Sequence, residues 1–190
     1  MFDRLREDVR TAYETDPAAK RPLEVVLTYP GLHALWFHYL ARRLLAADHA
    51  LAARVVSHVA RVLTGVEIHP GATVGHRLFV DHGMGVVVGE TAEIGDDVHM
   101  HHGVTLGGAD SDPVKRHPTV EDDVLIGANA TLIGDITVGT GARVGAGAVV
   151  VEDVPPGTTV AGVPAKPVGE PAEAETAEAP DEVAPGCPSR

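Results

Sequence analysis

The sequence predicts an α+β protein: an N-terminal α-helical collar, then a parallel β-helix of hexapeptide repeats, then a disordered acidic C-terminal tail. Three observations carry this. Apolar residues keep helical spacing up to Thr64, a period of six replaces it from Gly65, and after Val168 periodicity ends and large apolar residues nearly vanish. The expected divisions are 1–64, 65–168 and 169–190.

In the collar, Phe2, Leu5, Val9 and Tyr13 stand three or four apart, which lines one face of a helix. Asp16-Pro17 ends it, because the residue before proline avoids the helical region. Pro22 starts a short second helix through Leu27, and Tyr29-Pro30-Gly31 is a break. Leu32, Leu35, Trp36, Tyr39, Leu40 and Leu44 then keep helical spacing, and Leu51, Val55, Val59, Val62 and Leu63 repeat it. Six of the seven aromatic residues fall here, so the collar is expected to have a conventional core of its own.

From Gly65 the composition changes, with nineteen of the 21 glycines between 65 and 169. Val120, Ile126, Leu132, Val138, Val144 and Val150 stand six apart, and Ile68, Val74, Val80 hold the same period before a two-residue slip to Val88, Ile94, Met100, Leu106. Small or aliphatic residues often stand two positions earlier, as at Val124, Ala130, Ile136, Ala142 and Ala148. Each hexapeptide is one short strand plus one turn, and three make a coil of about 18 residues, so the repeat region predicts roughly five coils. The inward aliphatics stack on their copies in neighbouring coils.

One segment leaves the repeat. Leu106 and Val120 are 14 residues apart where twelve would keep register, and the polar, proline-containing GGADSDPVKRHP between them predicts an excursion of the kind on which rigid scaffolds carry function. The tail cannot bury enough apolar surface to order itself, which makes Cys187, the only cysteine, a bystander.

Composition excludes several functions. The formal charge is -12, so a polyanion would be repelled and nucleic-acid binding is not expected. No apolar run approaches the roughly 20 residues of a membrane span. One cysteine and no export signal point to a cytoplasmic protein.

Seven short motifs now stand in view: Asp16-Pro17-Ala18, Gly65-Val66-Glu67-Ile68-His69-Pro70, Asp81-His82-Gly83, Gly89-Glu90-Thr91, Gly103-Val104-Thr105-Leu106-Gly107-Gly108, Lys115-Arg116-His117-Pro118 and Ala161-Gly162-Val163-Pro164-Ala165. Together, from about residue 3 to residue 168, they resemble the serine O-acetyltransferases, which acetylate L-serine with acetyl-CoA in cysteine biosynthesis. The resemblance implies a left-handed β-helix, a homotrimer or a dimer of trimers with active sites between subunits, acetyl-CoA as co-substrate, and no permanently bound cofactor. A serine hydroxyl is a poor nucleophile toward a thioester and needs a base. The resemblance assigns that role to His82, with Glu67 orienting its ring; the family often has aspartate at that position. It assigns Asp16 and Asp81 to the substrate ammonium, and Arg116 and His117 to its carboxylate and hydroxyl, since a guanidinium grips a carboxylate with two hydrogen bonds. Gly107, Gly108, Ala128 and Ala146 match the small positions of the acetyl-CoA groove, and Arg143 matches a contact to a CoA phosphate. Docking to cysteine synthase, the O-acetylserine sulfhydrylase, uses a C-terminal isoleucine in the family; this sequence ends Cys187-Pro188-Ser189-Arg190 and departs from that pattern.

The cluster His99, His101, His102 raises a metal reading, because γ-class carbonic anhydrases hold zinc between β-helix subunits with three histidines. That class needs neither the DH and RHP elements nor a helical collar, so no metal is expected. Two rivals remain: a hexapeptide acetyltransferase for a sugar or antibiotic hydroxyl, which would not need Asp81 and Arg116, and a binding protein that keeps the scaffold without turnover.

Overall fold

The computed structural model describes residues 2–168; the acidic tail expected over 169–190, with Cys187, lies outside the described residues. Four helices come first: α1 (Phe2–Thr15), α2 (Pro22–Thr28), α3 (Pro30–Ala46) and α4 (Ala50–Thr64). The break expected over Tyr29-Pro30-Gly31 is confined to Tyr29, since Pro30 and Gly31 open α3; the other punctuation marks act where they stand. Pro22 and Pro30 occupy first turns, where a missing N–H costs nothing, and Tyr29 between them is extended. Gly65 ends α4 in the left-handed conformation at φ 72°.

Fifteen short strands follow. The first coil holds β1 (Glu67–Ile68), β2 (Thr73–Val74) and β3 (Phe79–Val80), and the second β4 (Val87–Val88), β5 (Glu93–Ile94) and β6 (His99–Met100). The third holds β7 (Thr105–Gly107), β8 (Thr119–Val120) and β9 (Leu125–Ile126), and the fourth β10 (Thr131–Ile133), β11 (Thr137–Val138) and β12 (Arg143–Val144). The fifth has β13 (Val149–Val150), a single bridge at Val154, and β14 (Thr159–Ala161), on which β15 (Lys166–Pro167) folds back antiparallel. Like strands of successive coils pair in parallel, giving three faces: β1-β4-β7-β10-β13, β2-β5-β8-β11, and β3-β6-β9-β12-β14. The whole is a left-handed parallel β-helix.

The register explains the period of six. Ile68 pairs with Val88, Val88 with Leu106, Leu106 with Leu132 and Leu132 with Val150, so one buried column runs down the first face. The residues two positions earlier, from Val66 and Ala72 to Ala142 and Ala148, are buried beside them. Two departures from the period prove to be corners. The slip between Val80 and Val88 is the corner that carries Asp81 and His82. Leu106 and Val120 belong to adjacent strands of one coil, so the excursion adds eight residues to an ordinary step of six, not two to a step of twelve.

The collar closes the first coil. Gly31, at the start of α3, lies so close to β3 that a Cβ there would meet Val80 O at 2.3 Å. The Ser57 hydroxyl of α4 donates to Ile68 O at 2.9 Å, and Arg42 donates to Ala72 O at 2.7 Å. The collar's interior differs from the sequence expectation. Helix α4 buries its small face, Ala53, Ser57, Ala60 and Thr64, against its neighbours. Its large apolar stripe points away: Leu51 is 80% exposed, and Val55, Val59, Val62 and Leu63 are exposed with it. Small residues allow the close approach of α4 to α3 and to β1, which forces the large ones outward.

One histidine makes the collar acid-sensitive. His38 is 2% exposed, neither ring nitrogen has a partner among the described residues, and burial pushes its pKa down to about 4. An unfolded histidine takes up a proton near pH 6.5 and this folded one refuses it until about pH 4, so its contribution to stability is lost as pH falls through that window. Asp8 works in the opposite sense: burial raises its carboxyl to about 6, so its contribution is lost as pH rises through 6. His38→Leu is therefore expected to shrink the loss of stability between pH 7 and pH 5 by roughly 2 kcal/mol. Denaturant midpoints at both pH values measure it; an undiminished acid loss would show that another group is responsible.

Candidate active site

The candidate side chains gather at two edges of the first face. The edge between the third face and the first is built from the corner after β3. Asp81 leaves β3 with its N–H donated to Met100 O at 2.9 Å, and His82 follows in the left-handed region at φ 59°. That conformation turns the His82 ring outward, and its side chain is 78% exposed. Gly83, at φ 74°, completes the turn where a Cβ would meet Val66 at 2.9 Å. His82 Nε2 stands 3.7 Å from Asp81 Oδ1, and the His82 ring meets His102 edge-on at 6.1 Å. Asp81 Oδ2 lies 3.1 Å from His101 Nδ1, and the His101 ring stacks on His99 at 4.6 Å.

Asp16 reaches this edge from the loop after α1. Its carboxylate accepts hydrogen bonds from the Tyr29 hydroxyl and from the Ala18 N–H, and these hold its pKa below the usual carboxylate range, with His82 adding to the effect. Burial, and then the Asp16 carboxylate, push the Tyr29 phenol up to about 12, so Tyr29 stays a donor. Asp16 is thus held ionised and oriented. Ala128 and Ala146 continue the same edge in the third and fourth coils: Asn129 N donates to His102 O, and Gly147 N to Ala128 O, at 2.9 and 2.8 Å. Arg143 projects from β12 nearby and is exposed.

The edge between the first and second faces carries the rest. Here the excursion folds back on Thr91, whose hydroxyl accepts from the N–H groups of Arg116 and His117 at 3.1 and 3.2 Å. The Thr91 N–H and hydroxyl both face His117 Nδ1, at 3.2 and 2.9 Å, which makes Nδ1 the acceptor and leaves the proton on Nε2. His117 is 7% exposed, and burial, with Arg116 beside it, lowers its pKa. A neutral imidazole with a fixed N–H results. Gly89 gives it room, since a Cβ there would meet the ring at 1.9 Å, and Gly108 lies against both His117 and Arg116. Gly107 ends β7 just before it, where a Cβ would meet Ile133 at 2.7 Å. The Arg116 guanidinium pairs with Glu90 at 2.9 Å and donates to Asp112 O at 2.9 Å.

One chain therefore brings Asp16, Asp81 and His82 together at one edge, with Ala128, Ala146 and Arg143 farther down, and places Arg116, His117, Gly107 and Gly108 at the other. Among the described residues no hydrogen bond or ion pair joins the two groups. Glu67 stands on β1 between them and is held by Arg61 at 3.0 Å, whereas the carboxylate within ion-pair reach of His82 is Asp81. Sequence reading assigned no role to Tyr29, Glu90, Thr91 or Arg61. The GET motif at 89–91 was the available signal for two of these; Tyr29 and Arg61 bear on the site only through folded contacts.

Three comparisons bear on this geometry. Residues 117–151 match the family model described as bacterial transferase hexapeptide (six repeats). The serine acetyltransferase of Bacillus licheniformis is 53% identical over 168 residues, 88% of this chain and 78% of the relative, and that of Mycobacterium tuberculosis is 53% identical over 170 residues, 90% and 74%. Among solved structures, serine acetyltransferase from Brucella abortus in complex with coenzyme A superposes with a TM-score of 0.86 at 42% identity, covering 89% of this chain and 68% of that one. Soybean serine acetyltransferase complexed with serine gives 0.85 at 43%, covering 87% and 68%. With the β-helix and identities above one half over most of its length, this chain belongs to the serine acetyltransferase family.

Proposed function

We propose that this enzyme transfers the acetyl group of acetyl-CoA directly to the hydroxyl of L-serine, giving O-acetyl-L-serine and CoA for cysteine biosynthesis, with His82 as general base. The observation that carries it is the exposed, outward-turned His82 beside Asp81 and Asp16, in a family whose solved members are described in complex with coenzyme A and with serine. His82 removes the hydroxyl proton as the oxygen attacks the thioester carbonyl, then returns it to the departing thiolate. Asp16 and Asp81 hold the substrate ammonium. Arg116 takes the carboxylate with two hydrogen bonds, exchanging Glu90 for the substrate, and the Nε2–H of His117 donates to the substrate beside it. Glu67 is the ring-orienting carboxylate of the assembled site, freed from Arg61 by a small side-chain rotation. Gly107, Gly108, Ala128 and Ala146 admit the acetyl-CoA chain, and Arg143 meets one of its phosphates.

The division of these groups between two edges supports a trimer. A three-fold arrangement sets the His82 edge of one copy against the Arg116 edge of the next, so each site is shared. The exposed stripe of α4 supports a further contact between collars, as in a dimer of trimers. Among the described residues no helix is long and apolar enough to cross a membrane, and a cytoplasmic location fits a chain with one cysteine. Nothing in the described residues favours a complex with cysteine synthase.

His82→Ala is expected to lower kcat by about 10² to 10⁴, roughly 3 to 5 kcal/mol of barrier, with the assembly intact. Serine-dependent release of CoA thiol measures it; near-normal turnover in a folded variant would remove His82 as the base. Arg116→Ala is expected to raise the KM for serine by about 10- to 100-fold, while the KM for acetyl-CoA stays within twofold or so. Unchanged serine saturation would move the carboxylate site elsewhere. If sites are shared, refolding equal amounts of the two variants together and assaying at serine far below the KM of Arg116→Ala, where neither variant alone is appreciably active, should restore about a quarter of the wild-type activity, because mixed trimers rebuild one intact site. No recovery on mixing would place each site within one chain.

A further inference from the structure

Helix and strand geometry gathers a second chemistry at the His82 edge. β6 alternates outward His99, inward Met100 and, one residue past the strand, outward His101, so period two sets two imidazoles on the same side of the third face. β3 is the partner of β6 in the coil above, and Asp81 leaves it beside them. One donor atom each from Asp81, His99 and His101 lies within 4.8 Å of the others, and Asp81 Oδ2 is already 3.1 Å from His101 Nδ1. Ligands at about 2.1 Å around a tetrahedral ion stand about 3.4 Å apart, so modest ring rotations would close this set. His99 Nε2 is buried and has no hydrogen-bond partner among the described residues, a polar atom whose need the chain itself does not meet. All three side chains are half-buried, which leaves a path for an ion and a fourth position for water. His102, the third histidine of the run, is not part of this group; it turns toward His82.

We propose that Asp81, His99 and His101 form a site for a borderline divalent metal ion, zinc being the ion whose ligand preferences match two imidazoles and one carboxylate, and that its occupation excludes the substrate ammonium from Asp81. The sequence expectation is of no metal, because a γ-class carbonic anhydrase needs neither the DH and RHP elements nor a helical collar; the proposed site differs from that reading in using Asp81, one coil away, in place of His102. Mg²⁺ is discriminated against, since it requires oxygen donors in near-octahedral geometry. The binding step stands on these three residues alone. The exclusion step rests on the proposed role of Asp81 in holding serine.

The full chain, dialysed against EDTA, is titrated with zinc chloride by calorimetry, with magnesium chloride as the comparison. One zinc per chain is expected and no magnesium. His99→Gln and His101→Asn should each weaken zinc binding by about 10², and His102→Asn should leave it within about twofold. Absence of zinc binding, or equal binding in all three variants, overturns the site. Should both ligand variants fail to fold, cobalt(II) added to the wild-type chain gives the same answer: paramagnetic broadening of the His99 and His101 ring signals supports the site, and broadening confined to other histidines overturns it. Saturating L-serine should weaken zinc binding and zinc should inhibit in competition with serine. Zinc binding that ignores serine overturns the exclusion step and the placement of Asp81 at the ammonium, while ligation is still judged by the variants.

Discussion

The vertical stacking of like aliphatics is the interaction on which everything else here depends. Each coil contributes one large inward residue per face, and Ile68, Val88, Leu106, Leu132 and Val150 meet in unbroken register down the first face. Such a column tolerates neither a missing residue nor an extra one, because a single-residue slip would turn every side chain below it outward. Extra length can therefore enter only at corners. The chain uses two: the Val80–Val88 corner, which turns His82 out at positive φ, and the long excursion after β7, which brings Arg116 and His117 back onto Thr91. Chemistry sits at the corners because the interior has no freedom to give.

The electrostatics follow the same division. At the Thr91 corner, hydrogen bonds to Nδ1 and burial keep His117 neutral with one defined N–H, which suits it to donate and unsuits it to carry charge. At the other edge the Tyr29 hydroxyl and the Ala18 N–H hold Asp16 ionised. Tyr29 sits at the junction of α2 and α3, so the collar contributes directly to the charge of the site and does more than close the prism. The tight seat of Gly31 on Val80 fixes α3, and hence Tyr29, relative to Asp81 and His82.

Most of the fold was legible because its signals are periodic and local. The six-residue spacing located the coils, and Pro22, Pro30 and Gly65 located the helix ends. What was not legible depends on packing between elements. Leu51, Val55, Val59 and Val62 read as core by spacing, yet the small residues Ala53, Ser57 and Ala60 are the ones that are buried, Ser57 bonding Ile68 of the prism, since close packing of a helix on its neighbours selects for small size over hydrophobicity. The motifs single out His82, Asp81, Arg116 and His117 as candidates, but no spacing rule says that two of them lie at one edge and two at the other. Asp81 and His101 are twenty residues apart and adjacent in space for one reason, that a coil here returns the chain to the same edge.

That return distance has a consequence for how such a scaffold acquires sites. In a β-helix a residue's neighbours in space are one coil away, so side chains about 18 to 20 positions apart form columns, and any column of outward polar residues is a potential site. The His82 edge carries two overlapping columns, one proposed to meet the substrate and one made of Asp81 with β6. The Arg116 edge carries another, in which Thr91 supports the residues of the coil below. Neither edge holds both the proposed base, His82, and the proposed carboxylate clamp, Arg116. On the proposed assignment a single chain carries two complementary half-sites facing different directions, and rotation about a three-fold axis is the simplest operation that would turn half-sites on one rigid prism into whole ones.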